Sequence, residues 1–182
     1  FIDTALAYGE GHSEKLVGEA VRKSGKSVII ATKVPPKNRI WPAQKTSYFR
    51  DVFPKDYLLE CTDRSLDNLG LAQMDLQQFH VWNDDWANQD EWHDTVGELK
   101  KSGRIKAYGI SINDHEPDNV LNALETGIVD TVQVIYNIFD QAPSANLFPA
   151  CQKNDVGVIV RVPLDEGGLT GAITADTQFE EG

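Results

Sequence analysis

Phe1-Ile2-Asp3-Thr4-Ala5-Leu6-Ala7-Tyr8-Gly9 opens the chain on an apolar strand end that carries an acid and then a phenol. Asp3 and Tyr8 fall where a strand gives way to a loop. Outward from this stretch the pattern recurs. Ser27-Val28-Ile29-Ile30-Ala31-Thr32-Lys33 is an apolar run ending in a lysine, and Met74-Asp75-Leu76-Gln77-Gln78-Phe79-His80 is a strand-like run ending in a histidine. An acid, a phenol, an amine and an imidazole thus stand at the C-terminal ends of successive predicted strands. These are the positions at which a (β/α) barrel displays its chemistry.

Short apolar runs of the kind buried on both faces predict strands over Phe1–Thr4, Ser27–Lys33, Asp75–His80, Ile105–Ser111, Thr131–Tyr136 and Val156–Val162. Amphipathic stretches between them predict helices over Glu14–Lys23, Asp56–Leu69, Glu91–Ser102, Pro117–Thr126 and Ser144–Asn154. Pro54 suits a first helical turn, and Gly70, Gly103, Gly127 and Gly157 serve as stop signals. The alternation implies an α/β protein with a parallel sheet and right-handed crossovers. The expected fold is a (β/α)8 TIM barrel, incomplete in this chain: about six of eight strands, lacking the first and last βα units, in one domain over residues 1–182. A long polar and aromatic insertion, Val34–Phe53, is read as an active-site wall or lid.

The chain has 182 residues, enough for a single core, and 41% hydrophobic residues, an ordinary globular composition. A formal charge of −11 argues against nucleic-acid and anionic-membrane surfaces, which need clustered Lys and Arg. There is no signal-peptide pattern and no apolar run near the ~20 residues of a membrane span. Cys61 and Cys151, far apart and without metal-like spacing, read as free thiols suited to a reducing cytoplasm, the expected location. His12, His93 and His115 lie outside the strand-end pattern and read as surface or capping residues.

The residues in order resemble the aldo/keto reductases. The matching elements are Asp3-Thr4-Ala5 with Tyr8-Gly9 and Ser13-Glu14, then Ala31-Thr32-Lys33, Met74-Asp75-Leu76 before His80, and Gly103-Arg104-Ile105-Lys106 with Gly109-Ile110-Ser111. They continue with Val132-Gln133-Val134-Ile135-Tyr136-Asn137 and Pro163-Leu164 followed by Gly168-Leu169-Thr170-Gly171. The resemblance implies reversible reduction of an aldehyde or ketone, a small-molecule carbonyl substrate, with hydride from NADP(H), NAD(H) remaining open. Tyr8 would be the general acid. Lys33 would lower the phenol's pKa from its ordinary ~10, Asp3 would hold Lys33 charged and aimed, and His80 would orient the carbonyl.

For the cofactor, the resemblance implies that Ser111, Asn113 and Gln133 hold the nicotinamide carboxamide. Ile112 stands directly after Ser111, so Asn113 is offset by one from the family's usual place. Arg161 occupies the approximate place of an aromatic ring that stacks on the nicotinamide, and a guanidinium plane can stack too. Leu164, Gly168 and Leu169 would form the loop over the pyrophosphate. Trp41, Trp82 and Trp86, with Tyr48 and Phe49, suggest a partly aromatic substrate pocket. Two other readings remain open: a cofactor-binding regulatory subunit that works through a partner, and a metal-dependent barrel enzyme using Asp3, His80 and Glu166. The tetrad weighs against the first, and the lack of a short-spaced His/carboxylate pair against the second.

Overall fold

The computed structural model describes residues 1–179. Six parallel strands, β1 (Ile2–Asp3), β2 (Ile30–Val34), β3 (Met74–Phe79), β4 (Ile105–Ser111), β5 (Thr131–Ile135) and β6 (Gly157–Arg161), pair strictly in chain order. Sequential parallel pairing without a reversal of order is barrel winding rather than doubly wound winding. The crossovers carry α1 (His12–Ser24), α2 (Phe49–Val52), α3 (Lys55–Leu69), α4 (Asp90–Lys101), α5 (Leu121–Leu124) and α6 (Leu147–Lys153). The sheet is an incomplete (β/α)8 barrel, as expected.

Helix ends follow the stop signals. Gly70 sits at φ 68° and donates its N–H to the Leu66 and Asp67 carbonyls, a left-handed cap that a side chain would disfavour. Gly18 lets α1 lie against the end of α3: a Cβ there would stand 2.3 Å from the Leu69 carbonyl oxygen. Cys61 and Cys151 are free and buried, and burial pushes both thiols up, Cys151 to about 11, so neither is a ready nucleophile.

Three sequence expectations need correction. The helix expected over Pro117–Thr126 shrinks to Leu121–Leu124 because tertiary hydrogen bonds outbid helical ones. Asn119 accepts from the Asp84 backbone N–H at 2.9 Å and donates to the Trp82 carbonyl at 2.9 Å. The Asp84 carboxylate in turn accepts from the Asn122 and Ala123 N–H groups at 2.7 and 3.0 Å, which caps the shortened helix. The helix expected over Ser144–Asn154 becomes a single turn at Ala142–Ser144 and then α6. Pro149 has no N–H, so it must sit in a first turn, which fixes the start near Leu147. Gly157 opens β6 rather than ending a helix, and Asp155 at φ 56° makes that turn.

The core is concentrated between β3, β4 and their helices, around Phe79. Its ring meets those of Phe53, Tyr108, Trp82, Phe49 and Trp92 at centroid distances of 4.7, 4.8, 5.3, 5.6 and 6.2 Å. Trp82 and Trp86 belong to this cluster, exposed by 0% and 1%, and so they do not form a pocket mouth. Their indole N–H groups are satisfied inside, by Asp84 and by the Ser47 carbonyl. Phe49 is buried with them, whereas Tyr48 points to solvent. The Val34–Phe53 insertion is therefore anchored in the core at its C-terminal end.

Gly18→Ala should destabilise the fold by about 1–3 kcal/mol in chemical denaturation, because the clash with backbone outweighs the ~1 kcal/mol gained in helix propensity. An unchanged or higher midpoint would show that α1 can move off α3.

Candidate active site

Strand parity decides which side chains converge. Asp3 pairs with Ala31 and Lys33 with Gln78 across neighbouring strands, while Gln78 pairs with Gly109 and Ser111 with Gln133. Because side chains alternate, Asp3, Lys33, Gln78, His80, Ser111, Gln133 and Arg161 share the inner face. Phe79 lies on the outer face, which is why the core holds it and leaves its neighbour His80 inside.

Lys33 is 1% exposed, and its ammonium donates to the Asp3 carboxylate at 2.5 Å and to the Thr4 carbonyl at 2.9 Å. Gln78 adds a second donor to Asp3 at 3.3 Å. The sequence reading missed Gln78; its place two residues before His80, on the same face, was the available signal. The ammonium lies 5.5 Å from the centroid of the Tyr8 ring, and that ring meets His80 edge-on at 5.7 Å. The four residues at four predicted strand ends are thus brought to one place. Trp41 also stands edge-on to His80, at 4.5 Å.

Burial sets the electrostatics. It pushes the Lys33 ammonium below its usual range, with Asp3 pulling it back up. Burial and then the Asp3 carboxylate push the Tyr8 phenol above its usual value, and Arg161 pulls it down. The phenol is therefore not lowered as expected in this state: burial and the Asp3 charge outweigh the one cation that pulls it down, Arg161. Desolvation, with Lys33 and Arg161 nearby, takes His80 down to about 3, so the imidazole is neutral at ordinary pH. Its Nδ1 is buried without a partner. The proton is then best placed on Nε2, where it can be donated.

A cavity of about 360 Å³ opens beside these groups, walled by Tyr8, Trp41, His80, Ser111, Gln133 and Arg161. Asn113, Asp114 and Glu116 also border it. Ser111 and Gln133 are buried, at 4% and 3% exposure, and their side chains make no hydrogen bond among the described residues. Asn113 is already committed, accepting from the Trp82 N–H and donating to Glu116. Arg161 is tied by its Nη2 to the Ile112 carbonyl and the Asp114 carboxylate, while its Nε is buried and unpartnered. Leu164, Gly168 and Leu169 lie on the turn after β6, outside the walls of this cavity, with Leu164 exposed.

The family model described as the aldo/keto reductase family matches residues 1–182. The chain belongs to the aldo/keto reductase family. Among similar proteins, an NADH-specific methylglyoxal reductase of Escherichia coli is 33% identical over 96% of this chain and 55% of its own length. An aldo-keto reductase of Bacillus subtilis is 32% identical over 98% of this chain and 52% of its own. A glycerol dehydrogenase structure from Gluconobacter oxydans superposes with a TM-score of 0.78 at 30% identity, covering 99% of this chain and 54% of that one. An aldo-keto reductase of Klebsiella pneumoniae in complex with NADPH gives 0.70 at 27% identity, over 93% and 55%. This aldo/keto reductase chain therefore spans about half the length of the relatives it matches.

The His80 environment carries a signature in stability. The folded imidazole stays neutral down to about 3 while an unfolded one takes a proton below its ordinary 6.5, so stability is lost as pH falls from 6.5 toward 3. Subtracting the pH–stability curve of His80→Asn from that of the wild type should isolate this slope. Parallel curves would show that His80 is not buried as described.

Proposed function

We propose that this site delivers a proton to, and positions, the carbonyl group of an aldehyde or ketone in an NAD(P)H-dependent reduction. The observation that carries the reading is the fully buried Lys33 ammonium, fixed by Asp3 beside the ring of Tyr8, with a neutral His80 edge-on to the same ring.

Tyr8 gives its phenolic proton to the carbonyl oxygen, forming the alcohol O–H and leaving a phenolate. Arg161, which already pulls the phenol down, and the Lys33 ammonium 5.5 Å from its ring would together stabilise that phenolate as it forms, which matters more in a partly desolvated site than in water. Asp3 and the Thr4 carbonyl hold the ammonium in place. The His80 Nε2–H donates to the carbonyl oxygen and fixes its orientation. At 47% exposure, Tyr8 is open enough for water to return the proton.

Ser111 and Gln133, buried with free hydrogen-bonding capacity beside the cavity, fit the carboxamide of a nicotinamide, and Arg161 supplies a planar cation at the same wall. When bound, the reduced nicotinamide supplies the hydride that no side chain can. Asn113, occupied by Glu116 and Trp82, is better read as holding the loop that frames Ser111. Leu164, Gly168 and Leu169, on the turn after β6, would cover the cofactor's phosphates. One relative is named NADH-specific and one similar structure holds NADPH, so both cofactors stay within the proposal. Two buried free thiols support a reducing, cytoplasmic setting.

Tyr8→Phe should lower kcat for carbonyl reduction by about 10²–10⁴-fold while leaving the NADPH dissociation constant within about twofold. Because His80 is neutral and Tyr8 protonated across the ordinary range, kcat/KM for reduction should stay flat between pH 5 and 8 and fall only at alkaline pH. Retained turnover in the variant, or a midpoint near 6.5 assigned to His80, would remove Tyr8 or His80 from these roles.

A further inference from the structure

Trp41 walls a second cavity as well. This cleft, of about 430 Å³, lies between the loop after β1, the loop after β2 and the outer face of α3. Its floor is apolar and aromatic, with Leu6, Pro36 and Tyr57. Around the rim stand Lys37, Arg39 and Arg64, three exposed cations against one carboxylate, Glu10. That local excess of two positive charges sits on a chain whose formal charge is −11.

The cations are free. Among the described residues none of the three forms an ion pair, although six other Lys and Arg side chains outside the active site do. The Lys37 ammonium instead lies 5.9 Å from the centre of the Tyr57 ring, and the charge of Arg64 is felt by the Tyr57 phenol. The loop that carries Lys37 and Arg39 is also fixed. Lys37 donates its backbone N–H to Val52, Arg39 donates to Pro36, and the Asn38 side chain accepts from Ile40. Both Glu10 and Arg39 adopt left-handed backbone, at φ 54° and 57°. Residues other than glycine take that conformation rarely and cluster in it at functional sites.

Position decides what such a cleft can hold. The candidate nicotinamide residues, Ser111, Gln133 and Arg161, border the first cavity on the β4–β6 side, and the second cleft opens on the β1–β2 side with Trp41 between. A cofactor lying along β4–β6 leaves this cleft unfilled, whereas a substrate whose carbonyl meets Tyr8 and His80 can extend past the indole into it.

We infer that the Lys37, Arg39 and Arg64 cleft is a specificity subsite for the anionic tail, phosphate or carboxylate, of the carbonyl substrate. This inference rests on the reductase reading of the Tyr8 site. The aromatic floor takes the stem of the substrate and the rim cations take its charged end. Charge-assisted hydrogen bonds from guanidinium groups give an anion most of its discrimination over a neutral analogue, and they weaken with added salt.

The test pairs charged and neutral aldehydes on the full-length chain with NADPH: succinic semialdehyde against butanal, and glyceraldehyde 3-phosphate against glyceraldehyde. At low ionic strength at least one charged member should have the higher kcat/KM, and which pair shows it distinguishes carboxylate from phosphate. Arg39→Ala and Arg64→Ala should each cut that preference about tenfold, mainly through KM. Lys101→Glu, a charge reversal on α4 away from the cleft, should leave it unchanged. Equal rates within both pairs, or a preference that survives the double variant Arg39→Ala/Arg64→Ala, would overturn the subsite while the reductase reading stands. If no aldehyde is reduced, that reading fails, and calorimetric titration with inorganic phosphate and with succinate decides the cleft separately. Binding lost in the double variant supports an anion site, and no binding overturns it. An anion bound without any substrate preference overturns its role in specificity.

Discussion

The Lys33 ammonium is 1% exposed and holds two partners inside the sheet, the Asp3 carboxylate and the Thr4 carbonyl. Leaving such a charge unpaired would cost on the order of several kcal/mol, so the strand that supplies Asp3 has to arrive in one register. That strand, β1, is only two residues long, and its backbone bonds to β2 include those from the Ile2 N–H to the Ile29 carbonyl and from the Thr4 N–H to the Ala31 carbonyl, both 2.9 Å. A slip of one residue would turn Asp3 to the outer face and strand the ammonium. The pairing requirement therefore fixes the first strand more firmly than its hydrogen-bond count alone would. In doing so it also fixes the loop on which Tyr8 stands.

On the other side of the site the constraint is apolar. Phe79 and His80 are adjacent residues facing opposite layers, one into five aromatic neighbours and the other into the cavity. The rigidity of the first is passed to the second through a single peptide unit. Asp84 extends the same frame, joining the Trp82 indole to the start of α5 and so to the loop that carries Asn113 and Asp114. Charge pairing on one flank and close packing on the other thus hold groups that must meet at a common point.

Much of this was legible in the sequence because it is written in period-two patterns and strand ends. Asp3, Lys33 and His80 each stand at the end of an apolar run, where parity places them on one face, and Tyr8 follows on the loop after the first of these runs. Four features were not legible. Trp82 and Trp86 follow a strand end as pocket aromatics would, but their indole N–H groups find partners inside, so burial costs them nothing polar. Helix α5 looked longer because nothing local shows that Asn119 and Asp84 are engaged across the chain. The state of the Tyr8 phenol depends on its burial, then on the charge of Asp3 and on Arg161 reaching it from β6, all three-dimensional facts. Arg161 was assigned by position to stacking, yet it is wired to Asp114 and the Ile112 carbonyl, neither of which any sequence rule connects to it.

Of the four tryptophans, Trp82, Trp86 and Trp92 are 0%, 1% and 0% exposed, and Trp41 is 46% exposed. The molecule consequently carries two optical populations in one chain. Three dry indoles sense the integrity of the core, and one wet indole borders both cavities. Emission from the blue side follows unfolding, and emission from the red side follows what enters or leaves beside Trp41. A single unlabelled sample can then be read for integrity and for occupancy at once, and a quencher in solution reaches only the second signal.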